Sequence, residues 1–265
     1  MYSAFQLAKK YLNYYLKAQN GKGHGVHSPF VFDFIIHVLN DNKEYECYHK
    51  IESLRKQLLA NNTIIEVEDF GAGSAINPFK NRKVKDIAYS SLKKKKYAQL
   101  LFRIANHYQS SSIVELGTSF GITTSYLASA HKDSKVITFE GSHNIARIAL
   151  NNFKQARLNN IDLIEGDFKK TLEGINNKIE KVDLVFIDGN HRKEATLEYF
   201  NFFLKKSSSQ TIFIFDDIHW SEEMEEAWKL IQQNDSVTLT IDLFFIGLVF
   251  LSPDFKFKQH FTIRF

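Results

Sequence analysis

Five short apolar, β-branched runs constrain this chain most: Ile113 to Leu116, Val136 to Phe139, Ile161 to Ile164, Val182 to Ile187 and Thr211 to Phe215. Segments of helical periodicity alternate with them, at Thr123 to Ala130, Asn144 to Leu158, Glu194 to Leu204 and Glu222 to Gln232. A strand that is apolar throughout must be covered on both faces, which a parallel sheet sandwiched between helices provides. Because such crossovers are right-handed, a doubly wound three-layer α/β fold is expected. Val237 to Leu243 and Phe245 to Leu251 leave no room for a helix between them, so they are expected to pair as an antiparallel hairpin at the sheet edge, giving seven strands. Beyond them Phe255, Phe257, Phe261, Ile263 and Phe265 alternate with Lys256, Lys258, His260 and Arg264, the pattern of a half-buried edge strand or extension.

The first part of the chain has a different pattern. Phe5, Leu7, Tyr11, Leu12, Tyr15 and Leu16 form a helical stripe, broken by Gly21, Gly23 and Gly25. Ser28-Pro29 predicts an N-cap and first helical position for a helix running to Leu39. His24 and His27 could line a site, although local hydrogen bonding is the plainer reading for loop histidines. A helical pattern returns from Val84 to His107 and contains Lys93 to Lys96, read as a solvated face. The domain boundary is drawn near residue 85, with residues 1–84 as a helical extension or cap and 85–265 as the α/β domain.

Two stretches look like glycine-rich nucleotide turns. The first, Asp69 to Ser74, follows the β-branched stretch Thr63 to Val67, but Asn77-Pro78 and a basic stretch come next, with no second strand expected at the right distance. The second, Glu115-Leu116-Gly117-Thr118-Ser119-Phe120-Gly121, ends the first apolar run and opens a helix, where glycines permit a tight turn and free N–H groups meet a ligand. We therefore rank the second as the cofactor loop and leave the first as a candidate substrate-side loop.

Composition narrows the class. The 265 residues are 44% hydrophobic and 24% charged, as in an ordinary globular protein, and a net charge of +4 does not single out nucleic acid. The lone Cys47 rules out an intramolecular disulfide and a multi-cysteine zinc site, which suits a reducing compartment. The N-terminus lacks the pattern of a signal peptide, and the longest apolar run, Leu243 to Leu251, is about half of what a spanning helix needs. A cytoplasmic protein without a membrane partner is expected.

Ligands of doubly wound sheets bind outside the carboxyl ends of the strands. Those ends are Glu115-Leu116-Gly117, Glu140-Gly141-Ser142, Gly166-Asp167, Asp188-Gly189-Asn190-His191 and Asp216-Asp217, so an acid closes every run. Glu140, ending the second strand, suits a ribose diol. Asp188, Asp216 and Asp217 would lie on adjacent strand ends, where three carboxylates repel unless protons or a cation neutralise them, and hard oxygen donors suit magnesium. Helix capping is the alternative for these acids.

On these motifs, the segment from about residue 85 onward resembles the class I S-adenosylmethionine-dependent methyltransferases, nearest the catechol/caffeoyl-CoA O-methyltransferase-like group. The resemblance implies a Rossmann-like sheet and a cofactor site in which Glu115, Gly117, Thr118, Ser119 and Gly121 surround the methionine end, Glu140, Gly141 and Ser142 the ribose, and Asp167 the adenine, with Asp188 beside the donor. It also implies that Asp188, Asp216 and Asp217 hold a divalent ion, Mg2+, that binds the hydroxyl of a small-molecule acceptor. His191, three residues after Asp188, could take the hydroxyl proton, with Asp188 as the other catalytic residue, and capping of the next helix is the equal alternative for His191. Ser119 stands at the middle glycine position of the loop, which counts against the pyrophosphate of NAD. A homodimer is compatible with the resemblance. Ranked below are an RNA acceptor, suggested by the basic pI and Lys93 to Lys96, and a non-catalytic binding protein that keeps the fold.

Overall fold

A computed structural model of the chain describes residues 1–68, 79–176 and 179–265. They divide into two compact units, Met1–Asp41 with Lys181–Phe265, and Asn42–Glu180. The Asp69 to Ser74 glycine stretch lies outside the described residues.

The first unit begins with α1 (Ala4–Lys17). Ser3 caps it in a reciprocal box with Gln6, which satisfies two N–H groups that a helix start leaves bare. Tyr14 and Ala18 pack with Phe244, and Leu7, Tyr11 and Phe245 join them. Ser28 caps α2 (Pro29–Phe34), as the Ser-Pro pair predicts, and a π-helical turn, Ile35–Leu39, prolongs it. Phe30 and Phe34 lie edge-on to Phe250, with ring centroids 5.0 and 6.4 Å away.

The second unit opens with α3 (Glu46–Ala60). The β-branched stretch after it becomes β1 (Ile64–Glu68), which pairs antiparallel with β2 (Phe79–Lys83). This corrects the expectation that no second strand follows: the partner is the basic stretch itself, paired through backbone groups that the apolar pattern does not reveal. The helix expected over Val84 to His107 is two, α4 (Val84–Ser91) and α5 (Lys95–His107). Stacking four lysines along one helix would set like charges one turn apart. Instead the chain is extended at Lys94, and the Arg55 guanidinium donates to the Lys93 carbonyl at 2.7 Å. Arg55 is itself held by Glu52 at 3.0 Å, and Glu52 also accepts from the Tyr126 hydroxyl.

Next come β3 (Ser112–Leu116), α6 (Ile122–Ala128), β4 (Lys135–Glu140), α7 (His143–Ala156), β5 (Ile161–Glu165) and α8 (Phe168–Ile175). The three strands are parallel in the order β3-β4-β5. The sequence reading has no helix at α8. Its start is marked by Asp167, whose carboxylate accepts from the Lys170 N–H.

Back in the first unit follow β6 (Val182–Ile187), α9 (Lys193–Leu204), β7 (Ser207–Asp216), α10 (Glu222–Gln233), β8 (Leu239–Asp242), β9 (Ile246–Phe250) and β10 (Gln259–Thr262). Their order is β10-β8-β9-β7-β6. β9 runs antiparallel to both β7 and β8, the expected hairpin. The alternating tail supplies β10, parallel to β8, so β3 to β10 number eight where seven were expected. The architecture is Rossmann-like.

A polar clasp fixes α1 to the rest of its unit. Glu225 on α10 accepts from the Tyr2 hydroxyl at 2.9 Å and from Lys10 Nζ at 2.9 Å, and lies 3.0 Å from His219 Nδ1. The other ring nitrogen of His219 is 2.8 Å from Asp242. Burial works against the imidazolium, but Asp242 and Glu225 outweigh it and raise the His219 pKa above its usual value. Among the described residues no helix is long and apolar enough to cross a membrane.

Candidate functional site

Two groups of polar side chains gather at strand ends, one in each unit. In the Asn42–Glu180 unit, the loop after β3 is pinned by the Gly117 and Thr118 N–H groups, both donating to the Phe139 carbonyl at 3.1 and 3.0 Å. Gly117, Ser119 and Gly121 all have positive φ, at 105°, 47° and 77°. For Ser119 that conformation is costly, and such strain concentrates at binding sites. It turns the Ser119 N–H onto Glu140 Oε2 at 2.8 Å, while the Ser142 N–H reaches Oε1 at 3.0 Å. Each carboxylate oxygen keeps a second lone pair, and Glu140 is only half-buried, so an incoming hydroxyl pair can still be received. Burial, partly offset by N–H groups of Ser142, Ser119 and Gly141, raises the Glu140 pKa to about 7.

Gly121 is required for a second reason. A Cβ there would collide with the Phe153 ring of α7, in a backbone conformation that L side chains resist. Gly121→Ala should therefore destabilise the protein by about 2–4 kcal/mol in urea melts. A loss under half a kilocalorie would mean the helices simply separate to make room.

Glu115 is fully buried. Its Oε2 accepts from the Thr124 hydroxyl and from the Thr138 hydroxyl at 2.7 Å, and Oε1 is buried without a hydrogen-bond partner. Burial dominates over these bonds and lifts its pKa to about 7. Because the folded state holds this proton far more tightly than the unfolded chain does, the associated stability is fully present below about pH 4.5 and is lost as pH rises through 7. We expect Glu115→Gln to remove this slope. In denaturant titrations the stability difference should shift towards the variant by on the order of 3 kcal/mol between pH 4.5 and 8. A difference independent of pH would show that Glu115 does not titrate in the fold.

Of the other residues expected around the donor, Thr118 turns inward, its hydroxyl 2.6 Å from that of Thr138. Asp167 caps α8, and Gly166 donates its N–H to the Glu140 carbonyl at 2.9 Å. Ser142 is the N-cap residue of α7, yet its hydroxyl is buried with no partner. Ser119 Oγ lies 2.8 Å from Ser91 Oγ on α4.

The second group belongs to the other unit. Asp188 follows β6, and Asn190 and His191 after it both have positive φ, at 70° and 35°. Two consecutive non-glycine residues in this region set the direction of the imidazole. His191 Nε2 lies 3.7 Å from Asp188 Oδ1. One ligand atom each from Asp188, His191 and buried Asp216, at the end of β7, lie within 4.8 Å of one another. Asp217, expected with them, is not in this group. Its φ of 53° and the 2.7 Å bond from its N–H to the Phe245 carbonyl turn it towards a small cleft, which it lines with Leu7, His219, Trp220, Phe244 and Phe245. Two carboxylates and an imidazole make a fitting donor set for a divalent ion, and the imidazole favours manganese or iron over magnesium.

Comparisons with known proteins bear on the fold. Residues 114–218 match a family model described as "Methyltransferase domain". The chain has a class I methyltransferase fold. The SAH complex of an O-methyltransferase from Bacillus cereus matches with a TM-score of 0.57 and 21% identity, over 80% of this chain and 93% of that one. The O-methyltransferase TomG from Streptomyces achromogenes, in complex with SAM, matches at 0.54 and 17%, over 84% and 95%. The SAH-bound methyltransferase PaMTH1 from Podospora anserina matches at 0.58 and 13%, over 85% and 97%. Among curated proteins, none matches the sequence.

Sequence reasoning did not find Thr124 and Thr138 as partners of Glu115, nor the Glu225, His219 and Asp242 clasp of this methyltransferase fold. Thr138 sits among apolar strand residues, where a β-branched residue reads as packing, and Thr124 lies in the hydroxyl-bearing run Thr123-Thr124-Ser125, where the pattern does not mark one residue out from the next. In the clasp, His219 and Asp242 are 23 positions apart, so no local spacing announces them.

Proposed function

We propose that the chain is an S-adenosylmethionine-dependent methyltransferase acting on a hydroxyl of a small-molecule acceptor, assisted by a divalent ion. One observation carries the reading: a strained, glycine-bounded loop donates an N–H to the strand-end carboxylate Glu140, and that carboxylate keeps lone pairs for a ribose diol. The buried, unpartnered Ser142 hydroxyl beside it supports the same cradle. The matching family model and the fold of the neighbours add to this.

In this reading Glu140 and Ser142 hold the nucleoside, and Gly117, Ser119 and Gly121 line the methionine side. Glu115 acts from beneath, keeping the loop in place through Thr124 and Thr138. Asp188, His191 and Asp216 hold the ion, which when bound would lower the pKa of an acceptor hydroxyl. Methyl transfer from a sulfonium is an in-line displacement, so positioning supplies much of the rate. Asp188, 3.7 Å from the ring, orients the imidazole, and His191 either ligates the ion, the hydroxyl proton then passing to solvent, or receives that proton itself.

A transfer assay with S-adenosylmethionine labelled on its methyl group, against a panel of phenols, amines, thiols and RNA, tests the reading. Label should enter the hydroxyl compounds, faster with Mn2+ or Mg2+ and slower with chelator. Exclusive labelling of amines or of RNA would overturn the acceptor class, and full activity in chelator would remove the ion.

A further inference from the structure

We propose that the outward face of α1 adsorbs to an anionic membrane surface. One face of α1 is committed to the Phe244 cluster through Leu7, Tyr11 and Tyr14. The opposite side should then be polar, yet Phe5, Leu12 and Leu16, spaced seven and four residues apart and so on one stripe, are 80%, 59% and 68% exposed. A row of large apolar side chains facing water marks an interaction surface.

The charges beside the stripe select the occupant. No aspartate or glutamate occurs before Asp33, while Lys9, Lys10, Lys17 and Lys22 all fall in that segment. Lys10 is neutralised by Glu225, which leaves Lys9 and Lys17 flanking the stripe. The Arg264 guanidinium adds a further positive charge, 4.8 Å above the ring of Tyr15 on α1. A second copy would set these same cations against one another, whereas acidic lipid headgroups would neutralise them. An apolar stripe edged with lysines is the form in which a helix lies in a membrane interface without crossing it. Adsorption of this kind departs from the sequence-based expectation of no membrane partner and needs no spanning segment. The inference is independent of the methyl-transfer reading.

Flotation of the full-length protein with phosphatidylcholine vesicles, with and without phosphatidylserine, tests it. The protein should float with the phosphatidylserine vesicles alone, and less so as salt is raised. A variant carrying Phe5→Ser, Leu12→Ser and Leu16→Ser should keep its unfolding temperature, because all three positions are exposed, and lose at least about tenfold in bound fraction. A second variant, Lys9→Glu with Lys17→Glu, should lose the preference for phosphatidylserine. No flotation of the natural protein at low salt, or equal flotation of the serine variant, would overturn the proposal. So would a dimer in solution that the serine variant dissolves without any vesicle binding, since the occupant would then be a second copy.

Discussion

Replacing Glu140 by alanine is expected to weaken S-adenosylhomocysteine binding by about a hundredfold or more, measured by calorimetry. A ribose diol presents two hydroxyl donors, and each charge-assisted bond to a carboxylate contributes about 1.5–3 kcal/mol. The Ser119 and Ser142 N–H groups each donate to one oxygen, so each oxygen retains capacity for a further donor. Because burial first, against the Ser142, Ser119 and Gly141 N–H groups, sets the Glu140 pKa at about 7, the ligand should meet a mixture of protonation states near neutrality. The diol needs the ionised form. Affinity should therefore be flat at alkaline pH and fall by up to about tenfold per unit below 7. Glu140→Gln should bind weakly and show little of this dependence. A natural protein whose affinity is constant from about pH 5.5 to 8.5 would mean that Glu140 does not hold the ligand.

The second large effect concerns the ion. Asp216→Asn keeps the shape of the side chain but turns one acceptor oxygen into an amide donor and removes a negative charge from the Asp188, His191 and Asp216 group. We expect Mn2+ affinity, followed by electron paramagnetic resonance of the free ion, to fall by about a hundredfold or more, with S-adenosylhomocysteine affinity within about threefold of the natural protein. Asp188→Asn should lose the ion equally. Asp217→Asn should keep most of it, because Asp217 faces the cleft with Trp220 and Phe245. If Asp217→Asn abolishes Mn2+ binding as fully as Asp216→Asn does, Asp217 is a ligand, as the sequence reading has it, and the set formed in the structure is not the one used.

These expectations show which links between sequence and structure were readable. The parallel strands and their helices were legible because burial on both faces leaves an uninterrupted apolar run, as in Leu184 to Ile187, where all four residues are buried. The hairpin was legible because the chain between Leu243 and Phe245 is too short for anything else. α8 was missed because an eight-residue helix spans barely two turns and its apolar period scarcely repeats. The pairing of β1 with β2 was missed because backbone hydrogen bonds, not side-chain pattern, join a basic strand to its neighbour.

At the site, strand-end position was legible but side-chain direction was not. Glu115, Glu140, Asp188 and Asp216 all sit where the strand ends put them. Yet Glu115 points into the core onto two threonines, and Asp217 turns away from Asp216 through a left-handed backbone. A φ of 53° at an aspartate depends on the bond to Phe245, which lies 28 residues further along the chain. His191 entered the ion group for a similar reason, since two successive left-handed residues bring its ring back beside Asp188. Such backbone reversals are set by tertiary packing, and although Asn, Asp and His adopt them more often than other non-glycine residues, residue type alone does not announce them.

Titration of the natural protein with S-adenosylhomocysteine in a calorimeter, near pH 8 and without added metal, tests the central claim most directly. Saturable one-to-one binding with a Kd on the order of micromolar is expected, weakened by about a hundredfold or more in Glu140→Ala. A folded protein that takes up no S-adenosylhomocysteine at millimolar concentration would contradict it.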